Sequence, residues 1–245
     1  MIISVQNEKV KSWNKLKKKK DRMHSKTFLI EGFHLIEEVH TSNWTINEII
    51  LQENIDAPEY SKIYPVTIVS ANVFKNISNT KSPQGIAAIV QVNQMEWKDF
   101  QNVLLVDALQ DPGNLGTIIR TAVAAGFDAV ILGENTVDMY NDKVIRSTQG
   151  TLFHIPVFQE DLLKKIPELK RDGFTICASA LKNATFFQEA NTEGKIALIV
   201  GNEGAGINNK ILEMADTVVK IPIKGKAESL NVSVAAGILM YHFSR

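Results

Sequence analysis

The sequence predicts an α/β protein of two domains. Residues 1–93 form a small α/β/α layer, residues 94–102 a linker, and residues 103–245 a parallel sheet with helices on both faces. Three observations predict it. Strand-length apolar stretches alternate with helical periodicities, as β-α-β construction requires. Residues 103–106 are apolar at every position, the mark of a strand covered on both faces. Around residues 94–102 the pattern turns polar and loses its period, as a domain boundary does. A length of 245 residues, with 44% hydrophobic and 22% charged, suits two domains of a soluble globular protein.

In order along the chain, residues 5–20 read as one helix with a basic face. Residues 27–30 are a short strand, and 32–40 a helix with Leu35, Ile36 and Val39 inward. Strands follow at 46–51, 65–69 and 85–90, with a helical stretch at 71–77 between the last two. In the second half the strands are 103–106, 129–132, 174–178, 196–200 and 218–221. The helices between them are 115–125, 143–150, 162–171 and 208–214. Residues 230–243 close the chain as a helix that is apolar on nearly every side over 232–240. Such a helix is buried or packs against another subunit.

Several classes of function are excluded. No apolar run reaches the roughly 20 residues that span a bilayer. The opening residues lack the apolar core of a secretion signal, so a cytoplasmic location is expected. Cys177 is the one cysteine, and no Cys/His spacing offers a metal ligand set. The net charge is zero overall but uneven: residues 1–93 carry 12 Lys/Arg against 9 Asp/Glu. Lys17, Lys18, Lys19 and Lys20 head that excess. A basic edge on a neutral protein fits a polyanion binder, and equally a solvated helix face.

In a parallel sheet the ligand lies beyond the carboxyl ends of the strands. Three loops there carry chemistry. The first is Asp111-Pro112-Gly113-Asn114-Leu115-Gly116, running into a helix that bears Arg120 amid Ile118, Ile119 and Ala122. An arginine with such neighbours is expected to have a partner. The second is Gly201-Asn202-Glu203-Gly204-Ala205-Gly206, straight after an apolar strand. Its glycines fall as G-x-x-G-x-G, so neither the Rossmann nor the Walker spacing is present. The third runs from Ile221-Pro222-Ile223 to Ser229-Leu230-Asn231-Val232-Ser233. Ser229 is placed to cap the last helix, with Asn231 in its first turn.

These segments resemble the three signature motifs of the SpoU/TrmH family of RNA ribose 2′-O-methyltransferases, in the SPOUT superfamily. The matching stretches are 114–122, 200–204, 221–223 and 229–233, and residues 144–150 are similar to a further family segment. Phe28-Leu29-Ile30-Glu31-Gly32 with Leu35-Ile36 resembles the substrate-binding domain often attached to it. The resemblance implies a C-terminal domain with a trefoil knot and S-adenosylmethionine as the methyl donor. It implies cofactor contacts at Gly201, Ile221 and Leu230, and a homodimer through the final helix. It puts Arg120 at the RNA hydroxyl, with Asn114, Glu203, Ser229 and Asn231 around it, and needs no metal. Ribosomal RNA is favoured as the substrate over transfer RNA, with Lys17–Lys20 as RNA contacts. The competing reading is a non-catalytic RNA-binding protein of the same fold, which would be expected to have lost Arg120, Glu203 or Asn231.

Overall fold

The basic N-terminal stretch folds as two helices rather than one. α1 (Glu8–Lys15) starts at Asn7, whose side chain accepts from Lys9 N, and α2 (Lys19–Ser25) starts after an extended Lys18. Four consecutive lysines repel within a helix, and Leu16 turns its side chain into the core at the break. Arg22 Nη1 then donates to the Leu16 carbonyl at 2.7 Å. The computed structural model describes residues 1–190 and 193–244.

The first unit holds a four-stranded sheet of β1 (Thr27–Glu31), β2 (Ile46–Gln52), β3 (Val66–Val69) and β4 (Ile86–Gln91), in the order β1-β4-β2-β3. β4 is antiparallel to β1 and β2, and β2 is parallel to β3. Alternate burial along β1 sends Phe28 and Ile30 to one face. There α3 (Phe33–His40) covers them with Leu35, Ile36 and Val39, the three residues its periodicity selects. On the other face Val10 and Trp13 of α1 pack with Val73, Phe74 and Ile77 of α4 (Ala71–Ile77). This is the expected α/β/α layer.

The second unit is built on seven strands: β5 (Asn102–Val106), β6 (Ala129–Leu132), β7 (Val157–Gln159), β8 (Phe174–Ser179), β9 (Thr185–Phe186), β10 (Lys195–Val200) and β11 (Thr217–Lys220). Their order is β7-β6-β5-β10-β8-β11-β9, and every neighbouring pair is parallel. The short strands β7 and β9 lie outside the sequence expectation, being too brief to show a period. α5 (Pro112–Ala124) and α9 (Val232–Phe243) pack together on one side of the sheet. Leu162, Ile166 and Leu169 of α7 (Leu162–Arg171) and Ile211 of α8 (Asn209–Leu212) fill the core on the other. From β5 the chain runs outward to β6 and β7, and then returns to the far side of β10. β5 and β10 thus flank the point where the strand order reverses, where open α/β sheets take their ligands. Val106 and Val200 are register partners there.

Residues 140–153, read from sequence as part of the second domain, belong to the first unit together with Met1–Gln94. The Tyr140 ring lies 4.6 Å from Phe28, and Phe153 lies 5.5 Å from Trp44. α6 (Asp142–Thr148) ends in a left-handed Gln149, whose carbonyl meets His34 Nε2. Gly150 follows at φ +88°, where a Cβ would stand 2.4 Å from Glu38 Cγ. Helical periodicity tells which residues are buried, not against which unit, so this partnership was hidden in the sequence.

Candidate active site

Because Val106 and Val200 are paired, the loops that follow them leave the sheet side by side. The loop after β10 is a tight turn. Asn202 and Gly206 exchange both backbone hydrogen bonds, at 2.9 and 3.0 Å. Gly201 sits against that closure: a Cβ would come within 2.3 Å of the Gly206 carbonyl carbon. No side chain fits, which is the physical need for glycine here. The Asn202 side chain accepts from Gly204 N and Ala205 N, closing the tip.

Glu203 projects from this turn onto the first loop. Its carboxylate accepts from Asp111 N at 3.0 Å, Gln110 N at 3.2 Å and Asn114 Nδ2 at 3.1 Å. Asn114 Oδ1 in turn accepts from Asn231 Nδ2 at 3.1 Å. Asn231 Oδ1 accepts from the Ser233 backbone N–H at 2.8 Å and from its hydroxyl. One hydrogen-bonded chain therefore links all three loops: Glu203, Asn114, Asn231. Partial burial pushes the Glu203 carboxyl pKa up, but the N–H groups of Asp111 and Glu203 itself, the Asn114 amide and the Gln110 N–H outweigh it. The group is held below its ordinary value. A carboxylate that satisfied is a poor proton acceptor and a good anchor for the amides around it.

The local sequence explains each position. Asp111 caps α5 by accepting from Asn114 N at 2.8 Å, with Pro112 at the first helical position. That puts Asn114 in the first turn with its amide turned to the loops. Asn231, not Ser229, caps α9. Either residue type caps well, and the bond from Asn231 to Asn114 decides between them.

Two expectations are corrected. Ser229 is exposed and makes no hydrogen bond among the described residues, so it does not join the chain of amides. Arg120 is exposed on α5 and has no hydrogen bond or ion pair among the described residues. Its sequence neighbours Ile118, Ile119 and Ala122 are fully buried because they occupy the opposite face of the helix.

Of the positions assigned to the cofactor, Gly201 is buried and Ile221 half-buried, and Leu230 leaves 37% of its surface open. Leu230 precedes Asn231 and Gly201 stands two residues before Glu203, so the amide chain draws both loops together. A glycine with no room for a Cβ on the second loop, and apolar Ile221 and Leu230 on the third, fit a ligand with an adenine ring and a sulfonium-bearing chain. Among the basic residues, Lys17 donates to the Asn76 carbonyl at 3.0 Å. Its burial lowers its pKa, against the raising effect of Asp142 and Glu31. Lys18, Lys19 and Lys20 stay exposed. Cys177 is buried in β8, and burial pushes its thiol up to about 12, so it is no nucleophile. Among the described residues no group of three His, Cys, Asp or Glu side chains is placed to hold a metal, and no helix is long and apolar enough to cross a membrane.

Gln110 is a site residue the sequence did not announce. Its side chain, like that of Asn202, donates to the Ala108 carbonyl. Nothing in the spacing marks it, since the contact depends on how the loop after β5 turns.

Comparison with known proteins agrees with this geometry. Residues 101–241 match the model of the SpoU rRNA methylase family, and residues 7–88 match an MRM3-like substrate-binding domain. The chain is 46% identical over 242 residues to the 23S rRNA (guanosine(2553)-2′-O)-methyltransferase RlmP of Bacillus subtilis (strain 168), covering 98% of each protein. Among solved structures it resembles an rRNA methyltransferase from Sinorhizobium meliloti, with a TM-score of 0.89, 27% identity and coverage of 98% and 95% of the two chains. That protein is also known with AdoMet bound. An RNA 2′-O ribose methyltransferase is similar at a TM-score of 0.84 and 30% identity, over 98% and 96% of the chains. The fold and the three joined loops are those of a methyltransferase acting on RNA ribose. The chain belongs to the SpoU rRNA methylase family, and its cofactor is S-adenosylmethionine.

Proposed function

We propose that this protein methylates a ribose 2′-hydroxyl of 23S ribosomal RNA, at the nucleotide equivalent to the guanosine 2553 that the name of its B. subtilis relative specifies. The observation that carries the reading is the Glu203–Asn114–Asn231 chain, which joins the three loops over the switch point of the sheet. Bound at Gly201, Ile221 and Leu230, the cofactor supplies an electrophilic methyl group on a sulfonium. Transfer would be an in-line displacement: the ribose oxygen would gain the bond to carbon, the electron pair of the broken carbon–sulfur bond would stay on sulfur, and the hydroxyl proton would pass to solvent water.

The protein's part is alignment and charge. Glu203 fixes Asn114, and Asn114 fixes Asn231, so their amides are pre-set before RNA arrives. Arg120 supplies the positive charge at the hydroxyl. A guanidinium keeps its proton in a protein, so it acts by stabilising the developing alkoxide and steadying the adjacent phosphate, not as a base. The first unit and exposed Lys18–Lys20 hold the RNA.

The active form is a homodimer through α9. Val234, Ile238 and Tyr241 are 51%, 38% and 60% exposed and fall at i, i+4 and i+7, an apolar stripe along one side of that helix. The face opposite, with Ala236, Leu239, Met240 and Phe243, is buried. A second copy is the partner that this stripe fits.

The test is to map ribose methylation across total RNA with and without the gene, and to repeat it with purified protein, S-adenosylmethionine and unmodified 23S rRNA. One methyl lost at the 2553-equivalent position, and restored in vitro, is the expected result. A change confined to transfer RNA would overturn the proposed target.

A further inference from the structure

We propose that Gln110 and Asn202 are positioning residues for methyl transfer, acting as a clamp on the carbonyl of Ala108. The inference rests on the functional reading above and extends it to residues outside the Glu203–Asn114–Asn231 chain.

The loop after β5 carries an unusual backbone. Ala108 is left-handed, at φ +53°, a conformation that residues with a Cβ rarely hold. Two side chains converge on its oxygen: Asn202 Nδ2 at 2.8 Å and Gln110 Nε2 at 3.1 Å. Gln110 Nε2 also donates to the Asn135 carbonyl in the loop after β6, where Val137 N donates to the Leu109 carbonyl at 2.8 Å. The clamp therefore draws on three separate loops.

What it fixes is informative. Immediately past Ala108, the backbone N–H groups of Gln110 and Asp111 turn onto the Glu203 carboxylate. If Ala108 relaxed to a right-handed or extended conformation, the direction of those two N–H groups would change. Glu203 would lose two of its three donors outside its own turn, and Asn114 would lose its anchor. Asn202 serves both ends, since its Oδ1 closes the turn that presents Glu203. One asparagine sets the acceptor and, across the gap, the donors.

The test uses the full-length protein, 23S rRNA lacking the modification, and single-turnover methylation beside calorimetric S-adenosylmethionine affinity. Gln110→Met removes one clamp donor, with its bond to the Asn135 carbonyl, from an exposed side chain outside the core. Asn202→Asp removes the other while keeping the acceptor for Gly204 and Ala205. Each is expected to slow turnover, on the order of 100-fold for an ångström of misplacement. Cofactor affinity should stay within a few-fold for Gln110→Met. Adding Ala108→Gly is the decisive arm, because glycine holds a positive φ without help. It should recover about a tenth or more of the lost rate in the Gln110→Met background. Variants that turn over like wild type, or a rate loss that Ala108→Gly leaves untouched, would overturn the clamp. A wild-type protein that methylates no RNA would instead overturn the functional reading.

Discussion

At Arg120 the second unit leaves a cation in solvent, on the one face of α5 that the core does not use. Arg120→Ala is expected to lower single-turnover methylation by roughly 100- to 1000-fold, with S-adenosylmethionine affinity unchanged by calorimetry. Arg120→Lys should fail similarly, because a point charge does not replace a planar fork. Near-normal turnover in either variant would remove Arg120 from the reaction. Glu203 makes a second prediction. Its folded pKa is below that of the unfolded chain, so its stabilisation is complete above the unfolded value of about 4.3. It is lost as pH falls through the lower folded value. Asp216 shifts in the same direction: burial pushes it up, and the Lys170 ammonium and Ile176 N–H bring it below its ordinary value. Melting temperature followed from pH 6 downward, on the order of three units, should drop less steeply for Glu203→Gln than for wild type. Equal slopes would show that the Glu203 bonds do not hold in solution. Side chains were the best-read scale in the sequence. Asn114, Glu203 and Asn231 meet through hydrogen bonds: they stand on loops beyond the carboxyl ends of the strands, and the family resemblance implied that they share one site. The structure differs at the cap, which is Asn231 rather than Ser229, and at Arg120, which lacks the expected partner among the described residues, because a string of neighbours does not say which face of a helix each one takes.

Helices and strands show where periodicity is enough and where it stops. The apolar run ahead of Asp107 is a buried strand, and Leu35, Ile36 and Val39 are the inward stripe of α3. The basic N-terminal stretch breaks in two where lysine repulsion and the burial of Leu16 outrank helix propensity, and the Arg22 bond to the Leu16 carbonyl closes the break. α9 is the instructive case. Its sequence is apolar nearly all round, yet the fold buries four of its twelve residues and leaves Val234, Ile238 and Tyr241 open. Replacing Val234 with Glu and Ile238 with Lys alters exposed positions only. Sedimentation of the full-length protein at micromolar concentration should give a dimer for wild type and a monomer for the double variant. A wild-type monomer would leave the stripe without its proposed partner.

On the scale of the whole molecule, charge is divided unevenly, and the basic excess near the N-terminus sits mostly on exposed lysines. Lys17 is partly engaged by the Asn76 carbonyl, so the useful variants are Lys18, Lys19 and Lys20 to Gln. For every RNA phosphate that a substitution leaves unneutralised, the slope of log affinity against log salt should shrink by roughly 0.7 to 0.9, with cofactor affinity unaffected. An unchanged slope would make these lysines a solvated face. The two-unit plan was legible from the polar break near residue 94. The return of residues 140–153 to the first unit was not, since no local pattern states which distant rings, Phe28 and Trp44, a tyrosine and a phenylalanine will cover.

That return has a bearing on how such a protein can change its target. Where a substrate module hangs from an enzyme by one linker, a single recombination event trades one recognition module for another. Here the first unit is assembled from two separate lengths of gene, codons 1–94 and 140–153, with enzyme sequence between them. A chimera that inherits only the leading 94 codons from a relative receives a foreign sheet lidded by native Tyr140 and Phe153. Its Gly150 is then shaped for a Glu38 that the donor need not have. An exchange of the first unit with that of a relative therefore has to carry both stretches together.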